Sequence, residues 1–71
     1  MFDYEVWYEG NCHREEGGFD SFEEAIDDAW MTILEYFELW EDDCELKEFI
    51  VKIDSSEYNG EEVRELYKEM N

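Results

Sequence analysis

The chain has 71 residues, of which 23 are Asp or Glu and 5 are Lys or Arg, so its formal net charge at pH 7 is −18. Such an excess of acid is typical of disordered tails, but 44% of the residues are hydrophobic and 18% are aromatic, enough to build a core. The composition predicts one folded domain over residues 1–71 with an anionic surface. That surface should repel anionic membranes and free nucleic acid.

The first part of the chain is predicted to form a strand and a weaker second strand. Apolar and acidic residues alternate from 2 to 8, a period of two that is typical of a half-buried strand. Trp7 interrupts the polar side of this alternation, so that side should also contact something. Gly10-Asn11 indicates a two-residue turn, which would return residues 12–16 as a short polar strand. Gly17-Gly18 then indicates a loop.

A long amphipathic helix is predicted from about 22 to 41. Ser21 and Glu24 have the spacing of a capping box, in which each side chain accepts a hydrogen bond from a backbone amide at the start of the helix. Apolar residues then recur at steps of three and four. Leu34, Tyr36 and Leu39 make the apolar arc wider than one sheet face normally covers. Either a second helix or another subunit should cover the excess, so a homodimer is one possibility.

The remaining residues are predicted to form one strand and one helix. Residues 46–53 form the strand, and residues 54–60 form a turn-rich connection. Asn59 should cap the last helix, with Glu62 three residues later. The buried stripe of that helix comprises Val63, Leu66, Tyr67 and Met70. The predicted order is β-(β)-α-β-α, a small α/β (α+β) domain of about three strands with two helices packed on one face.

An acidic stripe runs along the long helix. Steps of three and four connect Glu24, Asp28, Met31, Glu35, Glu38 and Asp42, and no Lys or Arg occurs from 15 to 46. Successive members lie about 5–6 Å apart along the helix, within a factor of two of phosphate spacing on a nucleic-acid strand. The stripe ends among further acids, at the helix end that prefers cations. The predicted partner-binding strip comprises Glu24, Asp28, Glu35, Glu38, Glu41, Asp42, Asp43 and Glu45.

Other kinds of site are not favoured by the residues. Cys12, His13 and Cys44 lack the paired spacing of a zinc site, and no calcium loop is complete, so we expect neither a metal nor a cofactor. The two cysteines are expected to be free thiols. A single histidine, with no nucleophile motif or phosphate loop, argues against an enzyme. No apolar run approaches the ~20 residues that a membrane-spanning helix needs, and no signal-peptide pattern is visible at the start. We therefore expect a cytoplasmic protein.

The combination of small size, many aromatic residues, net charge and an acid-striped helix resembles phage-encoded acidic proteins that act as DNA mimics. Members of this class occupy the nucleic-acid groove of host restriction enzymes, CRISPR effectors or other DNA-binding proteins. The resemblance is one of composition and extends over the whole chain. It implies an anti-defence inhibitor whose carboxylates replace phosphates against Arg and Lys of a basic nucleic-acid-binding protein.

Two alternatives remain open at the level of sequence. The chain could be a small adaptor that binds through an exposed aromatic patch at Trp7 or Trp40, with the acidic surface serving solubility. It could also be a charged domain with no macromolecular target, its acidic helix face simply solvated. If the stripe is the contact, reversing Glu35 and Glu38 to Lys should abolish partner binding and preserve the fold.

Overall fold

The computed structural model describes residues 1–40 and 44–70, which form an antiparallel sheet with helices packed against one face. In chain order the elements are β1 (Phe2–Tyr8), β2 (Asn11–Phe19), α1 (Phe22–Trp40), a single 3₁₀ turn (Leu46–Glu48), β3 (Phe49–Ile53), β4 (Ser56–Asn59) and α2 (Gly60–Met70). The strand order is β2-β1-β3-β4. The general α+β class is confirmed, but the described residues contain four strands, so the prediction of three is wrong.

The strand that sequence reasoning missed is β4. It is a four-residue polar edge strand that is antiparallel to β3, with Ser56 opposite Ile53 at one end and Asn59 opposite Ile50 at the other. The turn before it contains Asp54 at φ 53°, in the left-handed region that tight hairpin turns use. Because its outer edge pairs with no strand among the described residues and its side chains are exposed or half-buried, the strand needs no apolar alternation. Its sequence therefore resembled a loop.

The first hairpin also differs from the prediction. Its turn is Glu9–Gly10, one residue earlier than expected, and both residues have positive φ, 49° and 80°, as a type I′ turn requires. β2 then continues through Gly17-Gly18 instead of ending in a loop. Gly18 adopts φ 85°, and its N–H donates to Asp3 Oδ1 at 3.2 Å. A hydrogen bond across the hairpin thus extends a strand that the sequence pattern alone would end at 16.

Both predicted helix caps are confirmed. At the start of α1, Ser21 Oγ accepts from the Glu24 N–H at 3.2 Å, and Glu24 Oε2 accepts from the Asp20 N–H at 3.3 Å. At the start of α2, Asn59 Oδ1 accepts from the Glu62 N–H and Glu62 Oε1 accepts from the Asn59 N–H, both at 2.9 Å. These bonds satisfy amides that have no partner within the helix, and so they set where each helix begins.

The core lies between the helices and one face of the sheet. Its members are buried to 8% exposure or less: Tyr4, Val6, Tyr8, Phe49, Val51 and Ile53 from the strands, Ala25, Ile26, Ala29, Trp30 and Ile33 from α1, Cys44 from the connection, and Val63 from α2. α2 packs beside α1, with the Trp30 and Tyr67 rings 6.2 Å apart. A second helix therefore covers part of the wide apolar arc, although Leu39 remains 73% exposed.

The 3₁₀ turn brings two backbone segments into close contact. Residues 46–48 were predicted to be part of the third strand, which instead begins at Phe49. The turn places the Leu46 carbonyl against Gly60, the first residue of α2, where a Cβ atom would collide with it. A glycine at this position lets β4 lead directly into α2 without displacing the turn.

Candidate acidic interaction surface

Asp28 of the predicted stripe is turned toward the core. The Tyr4 hydroxyl donates to Asp28 Oδ2 at 2.6 Å and lies 2.9 Å from Thr32 Oγ1. Burial, and next the hydrogen bond to the Asp28 carboxylate, raise the pKa of Tyr4 well above the ordinary tyrosine value. Asp28 therefore holds a buried phenol in its neutral form, and its half-buried carboxylate is only partly available to a partner.

Two further stripe acids also have contacts within the chain, of which only the cap was predicted from the sequence. Glu24 belongs to the cap of α1. Glu35 Oε2 lies 3.7 Å from Arg14 Nη1, and Arg14 Nη2 lies 3.2 Å from Glu16. Although no Lys or Arg occurs from 15 to 46 in the sequence, the folded helix does have a cation beside it, because β2 places Arg14 next to Glu35. Glu38 is exposed, with no cationic group within 4.0 Å in the described part of the chain.

The remaining predicted strip residues follow α1 in the sequence. Glu41, Asp42 and Asp43 lie outside the described residues. Glu45 is exposed and pairs with Lys47, with Oε2 and Nζ 3.5 Å apart. The stripe as described is therefore a mixture of capping, paired and uncompensated carboxylates, with Glu38 its clearest uncompensated member.

A second acidic surface lies on the sheet face opposite the helices, which we call the outer face. The strand registers set Glu15, Glu5, Lys52 and Glu57 in one row across all four strands, so one lysine lies among three glutamates. A depression of about 510 Å³ includes three members of this row, and its lining comprises Asp3, Tyr4, Glu5, Glu15, Glu16, Gly17, Lys52 and Asp54. Like charges directly opposite one another are unfavourable in a sheet. The Glu5–Glu15 pairing could have been found only by placing the hairpin turn correctly.

A third acidic surface follows α2. A groove of about 340 Å³ between β4 and α2 is lined by Tyr58, Asn59, Leu66 and four glutamates, Glu61, Glu62, Glu65 and Glu69. The sequence shows these glutamates together with two cations of the same helix, Arg64 and Lys68. Arg64 Nε does lie 3.7 Å from Glu65 Oε1, which leaves the other groove glutamates without a cation within 4.0 Å among the described residues.

Most of the few cationic side chains form ion pairs with neighbouring glutamates. Arg14, Lys47, Lys52 and Arg64 each lie within 4.0 Å of a glutamate oxygen. No Asp or Glu in the described ranges is among the buried residues, so none of the carboxylates described there is fully buried. Negative charge is therefore displayed to solvent on the helix face, on the outer face and along α2.

Trp7, one of the two predicted aromatic contacts, lies half-buried on the outer face. Its indole N–H donates to Glu5 Oε1 at 2.8 Å, and Lys52 Nζ lies 4.2 Å from its ring centroid. A cation over the face of an indole is attracted by the negative charge of the π-system. The chain's own lysine thus already occupies the position over the Trp7 ring.

Trp40, the other predicted contact, is the centre of an aromatic cluster at the end of α1. Its ring centroid lies 5.1 Å from those of Tyr8 and His13, 5.2 Å from Tyr36 and 6.0 Å from Phe49. Tyr36 also donates from its hydroxyl to the His13 carbonyl at 3.1 Å, which ties α1 to β2. A pocket of about 240 Å³ opens beside this cluster, lined by Tyr8, Glu9, Asn11, His13 and Trp40.

The same described ranges contain neither a metal-ion cluster nor a membrane-spanning helix. Cys12 is an exposed thiol and Cys44 a buried one. The described residues contain no group of three or more His, Cys, Asp or Glu side chains placed to hold a metal ion. Within those residues, neither helix combines the length and apolar character that crossing a bilayer requires.

Comparison with protein-family models, curated proteins and solved structures gives no match to this chain.

Proposed function

We propose that the chain is an acidic interaction module that binds a basic nucleic-acid-binding protein and blocks its nucleic-acid site, as an inhibitor of a host defence or DNA-binding protein would. The observation that carries the proposal is the distribution of charge. The chain has a net charge of −18, and four of its five cations are paired with its own glutamates. Uncompensated carboxylates therefore remain on several sides of a small rigid core.

The mechanism follows from the chemistry of carboxylates and basic side chains. Arg and Lys that normally contact phosphates would form charge-assisted hydrogen bonds with surface carboxylates, Arg in a bidentate manner. The field of a strongly anionic protein would accelerate association with a basic groove, and added salt would slow it. Binding would be competitive, because the acidic chain and the nucleic acid would need the same cations.

The first test is capture of a partner under competition. The chain is immobilised, exposed to bacterial lysate and eluted first with a salt gradient and then with excess duplex DNA. We expect enrichment of a nucleic-acid-binding protein that duplex DNA displaces and whose DNA binding the free chain inhibits. A captured protein that is indifferent to both salt and DNA would contradict the proposal.

A charge-reversal pair identifies which surface makes the contact. Glu35→Lys with Glu38→Lys is expected to abolish capture, as the stripe hypothesis requires. Since Glu35 lies near Arg14, the single variant Glu38→Lys provides a reversal without loss of an ion pair. The matched control is Glu61→Lys with Glu69→Lys on α2, which leaves the same net charge as the stripe double variant. Equal loss in both double variants would indicate that net charge, and not the α1 stripe, governs binding.

The adaptor hypothesis remains the second candidate because of the pocket beside Trp40. An adaptor that binds through aromatic side chains should retain its partner in high salt and lose it when Trp40 is changed. Its partner would present apolar side chains, and charge reversals on α1 would have little effect. The salt gradient and the α1 variants therefore separate the two candidates.

A further inference from the structure

We propose that the pocket beside Trp40 binds an arginine side chain of the basic partner, which makes it the specific anchor of an otherwise diffuse acidic surface. The inference rests on the proposed function, because it assumes a basic protein as the partner. The juxtaposition that supports it is an aromatic wall, Tyr8 and Trp40, with the acidic residue Glu9 lining the same pocket.

The size of the pocket suits one side chain. Its volume of about 240 Å³ lies below the range of about 300–1,000 Å³ that small-molecule sites occupy. Its polar lining residues, Glu9, Asn11 and His13, come from the β1–β2 turn and the start of β2. A single long side chain entering from a partner is therefore a better fit than a cofactor.

The aromatic wall is held rigidly in place. The fully buried Phe49 ring lies nearly parallel to Trp40, with an interplanar angle of 8°, and Tyr36 packs against Trp40 at 29°. Tyr8 is itself 8% exposed and contacts both Trp40 and Phe49. A wall ordered by the core need not lose conformational entropy when a ligand binds, which favours affinity.

The charge around the pocket selects a cation. The Glu9 carboxylate is exposed and has no cationic group within 4.0 Å in the described ranges, and Asn11 Nδ2 donates to the Glu9 carbonyl oxygen, not to the carboxylate. The contrast with Trp7 is direct, because Lys52 of the same chain already lies over the Trp7 ring. Trp40 is the tryptophan whose pocket is lined by a glutamate and, among the described residues, by no Lys or Arg, although the His13 ring packs beside it.

Arginine fits this combination better than lysine. Its guanidinium is planar, so it stacks on an aromatic ring while its N–H groups point outward to a carboxylate. Lysine presents a compact, strongly hydrated ammonium that gains less from the flat wall. The pocket should therefore discriminate between two peptides of equal charge, which a diffuse anionic surface does much less.

The test uses nonaarginine and nonalysine peptides and the indole N–H resonances of the isotope-labelled chain at physiological ionic strength. Trp30 is buried and serves as an internal reference, and Trp7 reports the outer face. We expect nonaarginine to shift the Trp40 resonance far more than those of Trp30 and Trp7, and to bind more tightly than nonalysine. An unmoved Trp40 resonance at saturation would overturn the inference.

Variants isolate the contribution of the pocket. Trp40→Leu and, separately, Glu9→Gln should each reduce the preference for nonaarginine by about three- to fivefold, as expected for an exposed cation–π contact or ion pair. Trp7→Leu is the matched tryptophan control and should retain the preference. Because Trp40 also packs in the core, Glu9→Gln keeps the test valid if Trp40→Leu fails to fold. A preference that survives Glu9→Gln and every folded Trp40 variant would overturn the inference.

The outcomes distinguish this inference from the proposed function. If reversal of the α1 acids abolishes capture of a DNA-displaceable partner while Trp40→Leu and Glu9→Gln leave capture intact, the inference fails and the proposed function stands. If the arginine preference depends on Glu9 and Trp40 but no captured partner is displaced by DNA, the pocket is real and the proposed function fails.

Discussion

The two faces of the sheet use the same strands for opposite purposes. On the inner face Val6, Val51 and Ile53 are at most 1% exposed. On the outer face their neighbours, including Ile50 and Lys52, are half-buried at most. The comparison shows how a chain of net charge −18 can fold: apolar burial is concentrated on one face, and like charges stay in water, where their repulsion is screened.

The largest expected effect is a difference between two isoleucines of β3. Ile53→Ala should lower the free energy of unfolding by about 2–5 kcal/mol, since it leaves a cavity in the inner core. Ile50→Ala on the outer face should cost less than half as much, because its side chain is only partly removed from water. Urea denaturation monitored by circular dichroism measures both. Equal costs would show that the outer face is covered in solution, for example by a second copy of the chain.

The next largest loss of stability is expected at Gly60, where β4 leads into α2. Gly60→Ala should destabilise the chain by about 2–3 kcal/mol, because the new methyl group collides with the Leu46 carbonyl. Gly10→Ala is the control: it has a positive φ of 80° but nothing within 4 Å of the added Cβ. It should cost only the backbone strain, about 1 kcal/mol. A larger loss for Gly10→Ala in thermal unfolding would contradict the proposed collision.

A smaller loss of stability is expected when the hydrogen bond between Tyr4 and Asp28 is removed. Tyr4→Phe removes the hydroxyl that donates to Asp28 and should cost about 1.5 kcal/mol, the lower value for a hydrogen bond to a charged group. Tyr58→Phe is the matched control, because Tyr58 is half-buried and shows no side-chain hydrogen bond among the described residues. Urea unfolding of both variants at neutral pH tests the difference.

The raised pKa of Tyr4 adds a pH dependence with a definite sign. Its pKa is higher in the folded chain than in the unfolded chain, where it is about 10, so the folded state holds the proton more tightly. The resulting stability is complete below pH 10 and decreases as the pH rises above it. In wild type the unfolding free energy should therefore fall more steeply above pH 10 than in Tyr4→Phe. Parallel curves would contradict the assigned cause.

The smallest expected effect is on the outer face. Lys52→Met removes the cation above Trp7 and the pair with Glu57 and should cost about 0.5 kcal/mol. Lys68→Met, which removes the same charge from an exposed position without an ion pair in the described set, should be close to neutral. If the two substitutions lower the free energy of unfolding in urea by the same amount, the change in net charge and not the Trp7 contact would be responsible.

Local signals predicted much of the fold. The alternation in β1, the spacing of apolar residues in α1 and the capping pairs at Ser21 and Asn59 each depend on residues within four positions of one another. They therefore act in any environment that supplies a core. β4 and the extension of β2 were missed because both are edge strands, whose existence depends on a neighbouring strand and not on a pattern of their own.

The candidate site was predicted in part and for the same reason. Helical spacing was enough to place Glu24, Asp28, Glu35 and Glu38 on α1, three of them exposed. It could not show that Arg14 would lie beside Glu35, that Tyr4 would bind Asp28, or that Glu5 and Glu15 would face each other. Those contacts join residues that are 10 to 24 positions apart in the sequence.

Charge, class of fold, helix positions and caps were thus set by composition and short-range pattern, since they depend on hydration and on neighbouring backbone groups. Tertiary structure decided which carboxylates are compensated, which tryptophan is covered by the chain's own lysine, and where an aromatic pocket opens beside Glu9. The physical reason is that Coulomb and ring contacts act over a few ångströms in space, and only strand register and helix packing bring distant residues that close.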